Sequence, residues 1–168
     1  MSRSPQTGIR NVVLRVLDAS SPQKSRTLLC HSASVPVPTD PEPVKVKPEH
    51  ALVAVIAGAD VESTLSFSIG VEAFLDATQP TMEEIVNGNG AGANWTPIND
   101  SIANVQVAAQ FRCFTFEFHM DNRAQGGVYT IRSVQAHVKP DPAFERADPN
   151  VISFSGEVYG TITDRLGP

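Results

Sequence analysis

Apolar and polar residues alternate along three long runs in the C-terminal third of the chain, residues 104–120, 128–138 and 151–163. Successive side chains of a strand point to opposite faces, so a period of two places the apolar side chains on one face of a sheet. In the last run the apolar side comprises Ile152, Phe154, Val158 and Ile162, and the polar side comprises Ser153, Ser155, Glu157 and Thr161. The pattern predicts three β-strands joined by two turn-rich connections.

The N-terminal half has the same period in shorter runs. Residues 9–17 and 26–31 flank a turn cluster and predict a β-hairpin. Residues 52–57 are all apolar, which is typical of a short strand buried in a sheet, and residues 61–75 alternate again. The chain is therefore expected to contain seven or eight strands.

Phenylalanines are the strongest apolar feature. Phe114, Phe116 and Phe118 share one parity, whereas Phe111 has the other, which predicts a bulge or a change of face near residues 111–113. Three phenylalanines in line indicate core packing. A nucleic-acid stacking platform would require basic neighbours, and Glu117 lies among these rings instead.

One short helix is predicted over residues 80–87. Thr81 followed by Glu84 fits a capping box, and the glycine-rich residues 88–92 end the helix. Barely two turns long, it must be held by packing against a sheet. Trp95 follows, either as a plug at the edge of the core or as a binding platform.

Five prolines interrupt residues 32–50, so no central strand can pass through this segment. It is either an extended connection on the surface or a stiff arm that docks on a neighbouring subunit. We expect a mobile N-terminal arm at residues 1–8 and a single β-sandwich domain at residues 9–168. The fold class is mainly β: an antiparallel β-sandwich or barrel-like sheet with one short flanking helix and a long extended proline-rich loop.

Charge is distributed unevenly along the 168 residues, whose formal net charge is −5. Basic residues dominate before residue 30, and acidic residues dominate residues 40–84. These are either two solvated faces or a basic end that contacts the acidic part of another copy. The candidate inter-subunit contacts are Arg3, Arg10, Arg15, Pro36, Pro38, Pro41, Pro43, Lys45 and Lys47. The acidic balance argues against nucleic-acid binding as the main task.

Candidate chemistry is sparse. Residues 88–92 follow a helix and lack the Lys-Ser/Thr of a phosphate-binding loop, and no Gly-x-Ser-x-Gly elbow occurs. The histidines have no metal-ligand spacing, although His119 and His137 could face each other across paired strands. The sequence therefore predicts no enzyme, no catalytic residue, no cofactor and no metal.

Cys30 and Cys113 are expected to be reduced, buried residues, with a disulfide between them left open. The sequence has no apolar leader-like region and no run long enough to span a bilayer, so neither secretion nor membrane anchoring is expected.

The layout as a whole resembles the tail tube (major tail) proteins of long-tailed bacteriophages. The resemblance rests on the opening hairpin (12–30), the extended connection (32–48), ThrGlnProThrMetGluGluIleVal at 78–86 and the closing segments 126–136 and 150–160. It implies a β-sandwich that assembles into hexameric rings, whose sheets join into a continuous barrel. Stacked rings would form the virion tail tube through which DNA passes without specific binding.

The same resemblance implies contacts with other tail proteins, synthesis in the host bacterial cytoplasm, and loops that bridge one ring to the next. The segment 32–48 and the arm 1–8 would be those bridges. Two alternatives remain open: a capsid decoration or tail terminator protein, and a carbohydrate- or ligand-binding sandwich with Trp95 and Tyr129 as platforms.

Overall fold

The computed structural model describes residues 12–36, 43–46, 54–57, 63–70, 79–102, 105–122, 128–141 and 151–167. The strands are β1 (Val12–Leu17), β2 (Ser25–Ser34), β3 (Pro43–Val46), β4 (Ala54–Ala57), β5 (Ser63–Gly70), β6 (Phe114–Asn122), β7 (Val128–Pro140) and β8 (Val151–Gly167). One α-helix, α1 (Met82–Asn87), lies between β5 and β6 and is followed by two 3-10 turns, Gly90–Asn94 and Asn99–Ser101. The predicted mainly β fold class with a short helix is confirmed.

Six of the strands form a closed antiparallel barrel in the order β1-β2-β5-β8-β7-β6. Closure comes from the pairing of β1 with β6, in which Leu14 lies opposite Phe118 and Val16 opposite Phe116. The predicted opening hairpin is present as β1 and β2. Closing the sheet gives both edges of β1 a hydrogen-bonding partner, although it is the first strand of the described chain.

The alternating apolar residues fill the barrel. Phe67 lies at the centre, with its ring centroid 5.4 Å from Phe154, 5.7 Å from Phe116 and 5.9 Å from Phe118. Leu14 and the three other rings of this cluster are at most 3% exposed. Aromatic packing of this kind supplies a large share of the apolar area that drives folding.

Helix α1 packs on the same core through Met82, Ile85 and Val86. The predicted capping box is present: Thr81 Oγ1 accepts from the Glu84 amide at 3.1 Å, and Glu84 Oε2 accepts from the Thr81 amide at 3.1 Å. Gly88 ends the helix in the left-handed region at φ 71° and donates its amide to the Glu84 carbonyl. The sequence signals at both ends of this helix are therefore confirmed.

The long run predicted at residues 104–120 is a strand only from Phe114 onwards. Within the described residues before it, the Asn99 side chain donates to the carbonyls of Ala108 and Phe111 and accepts from the Cys113 amide. These side-chain bonds take the place of strand-to-strand backbone hydrogen bonds and hold an irregular segment outside the barrel. The bulge or change of face predicted near 111–113 does not fall within a strand, because β6 begins only at Phe114; the register shifts of the described strands lie between Cys30 and Ser32 and between Val134 and Ala136.

The proline-rich segment is only partly irregular. Residues 32–34 continue β2, and β3 pairs with β4 in a two-stranded sheet separate from the barrel. The apolar run at 52–57 thus contributes β4 to a hairpin rather than a strand to the main sheet. Beyond residue 34, no described part of the segment belongs to a barrel strand, in agreement with the exclusion of a central strand through the prolines. The arm predicted at residues 1–8 lies outside the described residues.

Candidate interaction surfaces

A buried carboxylate with basic neighbours lies on the outer face of the barrel. The Phe116 and Phe118 side chains point inward, so Glu117, between them on β6, points outward. Its Oε1 accepts from Arg165 Nη2 at 3.2 Å, and its Oε2 lies 4.0 Å from Arg15 Nη1 and 3.7 Å from His119 Nε2. The Glu117 side chain is only 9% exposed. We call Arg15 and Arg165 the outer arginine pair, and Glu117 is the carboxylate between them.

The cluster joins residues from distant parts of the sequence. Arg15 lies directly opposite Glu117 in the register of β1 and β6. Arg165 lies on β8, opposite Ile131 of β7, the strand that separates β8 from β6. Only barrel closure brings the first and last strands to the same carboxylate.

Arg132 forms a second ion pair where the proline-rich segment leaves the barrel. Its Nε and Nη2 donate to the two carboxylate oxygens of Asp164 at 2.8 and 2.9 Å, and its Nη1 donates to the Pro36 carbonyl at 3.4 Å. The hydrogen bond to Arg132 lowers the pKa of Asp164, and the same contact raises the pKa of Arg132. This bidentate pair fixes the first residues after β2 against β7.

The second half of β8 has an open edge among the described strands. Residues Val151–Val158 pair with β5, whereas the residues from Ile162 to Gly167 pair only with β7 in the part of the chain described here. Leu166 on this half is 73% exposed. An unpaired strand edge with an exposed apolar side chain is a surface on which another chain can dock.

A smaller apolar cluster lies outside the barrel, where Ile98, Ile102 and Cys113 pack together. Beside it, Phe111 is 42% exposed and contacts the His137 ring edge-on at 5.6 Å. The pattern placed Phe111 in a strand, on the face opposite the core phenylalanines, whereas the structure places it at the surface of the irregular segment before β6.

The sequence-based candidates have mixed outcomes. Trp95 is 6% exposed and packs edge-on against Phe114, so the core interpretation is confirmed and a Trp95 platform is not available. His119 lies opposite Ile131, not His137, and the Nδ1 of His137 bonds the Arg112 carbonyl at 2.9 Å, so the two histidines do not face each other. Among the described residues no group of three potential ligands is placed to hold a metal ion.

Both cysteines are buried and unpaired, as expected. Burial raises the pKa of the Cys30 thiol to about 12 and that of Cys113 to about 11, which keeps both thiols protonated at neutral pH. No helix among the described residues is both long and apolar enough for a membrane span.

Of the predicted inter-subunit contacts, Arg15 and Pro36 are described with their side chains, and Pro43 and Lys45 form part of β3. Outside the described residues lie the remaining candidates, Arg3, Arg10, Pro38, Pro41 and Lys47. Arg15 and Pro36 both contact other residues of the same chain: Arg15 lies beside Glu117, and the Pro36 carbonyl accepts from Arg132. Sequence reasoning did not identify Glu117 or Arg165, whose proximity depends on the register in which β7 pairs with both β6 and β8.

Two solved structures share this fold over nearly the whole chain. The PVC sheath/tube terminator in the extended state, part of an extracellular contractile injection system, matches with a TM-score of 0.51 at 13% identity, covering 98% of this chain and 99% of that chain. The tube terminating cap of the anti-feeding prophage matches with a TM-score of 0.53 at 13% identity, covering 99% and 95%. No protein family model and no curated protein sequence matches the chain.

Proposed function

We propose that the chain is a structural subunit that closes the end of the tube in a phage-tail-like particle. The observation that carries the proposal is the end-to-end likeness to a tube terminator and a tube terminating cap, both of which are covered almost completely by this chain. A likeness confined to the barrel would point only to a common β architecture. Here the helix, the irregular segment and the β3–β4 hairpin fall within the covered length as well.

In this role the subunit binds copies of itself side by side and forms a ring, for which we expect six copies. The half of β8 from Ile162 to Gly167, whose second edge is unpaired among the described strands, and exposed Leu166 suit such a lateral contact, because a neighbouring strand can pair with that edge. The ring then sits on the tube in the tail of the particle, in contact with other tail proteins, and carries out no catalysis. It binds no DNA specifically, and the net charge of −5 favours free passage of the phosphate backbone.

A subunit of the tail tube itself is the second candidate. The sequence resemblance to tail tube proteins favours it, and the two roles differ in one physical respect. A tube subunit offers complementary surfaces at both faces of its ring, so rings stack without limit, whereas a terminating subunit stops after one ring.

Negative-stain electron microscopy of the purified protein at rising concentration separates the candidates. The terminator proposal predicts single closed rings that do not lengthen, and light scattering should give a particle mass that reaches a plateau. Hollow tubes that lengthen with concentration would contradict the terminator role and support the tube subunit. A monomer at every concentration would contradict both and return the decoration or ligand-binding alternatives to consideration.

A further inference from the structure

The Glu117 carboxylate orients the outer arginine pair, although the pair does not fill all of its hydrogen-bonding positions. Glu117 has a side chain that is 9% exposed although it lies on the outer face of the barrel. Its Oε2 is buried and accepts no hydrogen bond from the described residues. A buried carboxylate is costly unless cations surround it, so Arg15 and Arg165 are held close to Glu117 by charge.

Within the described part of the chain, the two arginines retain most of their hydrogen-bonding capacity. Each guanidinium has five N–H donors, and the pair makes one hydrogen bond to Glu117, which uses one donor of Arg165. The side chains of Arg15 and Arg165 remain 42% and 58% exposed. Two cations share one anion, which leaves a net positive charge on this part of the surface.

We propose that Arg15 and Arg165 together bind a carboxylate of a second copy of this chain, with Glu117 holding both guanidinium groups in place. The inference rests on the proposed ring and names the charge contact at its lateral surface. Planar guanidinium groups bind carboxylates through paired N–H donors, and prior orientation by Glu117 reduces the entropy lost on binding.

Charge complementarity selects the second copy as the occupant. In the sequence, residues 40–84 carry nine acidic residues against two lysines, so a second copy supplies carboxylates that complement a pair of arginines. Location agrees with this choice, because Arg165 belongs to the half of β8 whose outer edge has no partner among the described strands. A strand edge and a charge contact on the same half-strand would then form one continuous interface.

Neutral substitutions test the proposal without adding repulsion beside Glu117. We would measure self-association of Arg15→Gln and Arg165→Gln by sedimentation velocity over a dilution series, with circular dichroism to verify folding. Lys139→Gln is the matched control, since Lys139 is an exposed cation on β7 that lies opposite Ser155. Each arginine variant should weaken self-association about tenfold, the effect of losing one charge-assisted contact, and the control should change it less than about twofold.

Several results would overturn the proposal. Arginine variants that assemble as the wild type does would refute the contact while leaving the ring intact. An equal loss of self-association in Lys139→Gln would show that the effect comes from the overall charge and not from this contact. If the arginine variants lost binding to a duplex oligonucleotide while their self-association was unchanged, the arginines would be binding phosphate groups instead of a carboxylate. A wild-type protein that stays monomeric throughout would refute the ring and the contact together.

Discussion

Asp18 is the best position at which to test how the barrel is held to the segment outside it. The residue follows β1 and is completely buried. Its Oδ1 accepts from the Ser20 amide, the Ser20 hydroxyl and the Lys24 amide at 3.2, 2.7 and 2.8 Å, and its Oδ2 accepts from the Thr96 amide at 3.1 Å. One carboxylate therefore closes the β1–β2 turn and also fastens the chain after α1 to it.

The substitution Asp18→Asn should lower the free energy of unfolding by about 2–3 kcal/mol at pH 7. The asparagine oxygen can replace Oδ1, but its NH₂ group then faces the Thr96 amide, and two donors cannot bond each other. One hydrogen bond to a charged group is worth about 1.5–3 kcal/mol, and the three others lose their charge assistance. The exposed Asp100→Asn is the control, with an expected change below about 0.5 kcal/mol.

The pH dependence provides an independent test of the same contact. Burial by itself raises the pKa of Asp18, but the hydrogen bonds from Ser20, Lys24 and Thr96 outweigh it, and the pKa lies below the ordinary 3.8. Because the folded-state pKa is lowered, the stabilisation is complete above the unfolded-state pKa and disappears as the pH falls through the folded-state value. The difference between wild type and Asp18→Asn should therefore shrink below about pH 4.

Urea unfolding at pH 7 and at lower pH values measures both effects. All variants must be compared at equal protein concentration, because self-association adds to apparent stability. A difference at pH 7 no larger than that of Asp100→Asn would refute the argument from hydrogen bonds. A difference that stays constant down to pH 3 would refute the argument from charge.

Three further predictions concern the core, the helix and the thiols. Phe116→Ala removes a fully buried ring that contacts Phe67 and should cost about 3–5 kcal/mol in urea unfolding; a loss below about 1 kcal/mol would contradict its central position. Thr81→Ala should cost about 1 kcal/mol through loss of the cap, while Thr81→Ser should cost only a few tenths, and equal losses would contradict the capping bond. Cys30 and Cys113 should resist alkylation at pH 8 in the folded protein and react on addition of urea, as followed by mass spectrometry; rapid modification of the folded protein would contradict their burial.

The sequence was informative wherever structure depends on near neighbours. Alternation identified Phe114, Phe116 and Phe118 as core residues because a strand sends every second side chain to one face. The capping box at Thr81 and the glycine that ends α1 were predictable because their bonds join residues a few positions apart.

Features that depend on chain closure were not predictable. Arg15 and Glu117 lie 102 positions apart, and no local pattern indicates that β1 pairs with β6. The register of β6 and β7 likewise separates His119 from His137, which the sequence allowed to meet. The strand predicted through Phe111 does not form, because the Asn99 side chain bonds Ala108, Phe111 and Cys113 and holds the described part of this segment outside the ladder.

The most direct test of the proposed terminating role is the mass of the assembled particle as a function of protein concentration, measured by sedimentation velocity. A terminating subunit should give one closed ring whose mass stays constant once it has formed. A mass that rises continuously with concentration would contradict this account, since it would show rings stacking as a tube subunit's rings do.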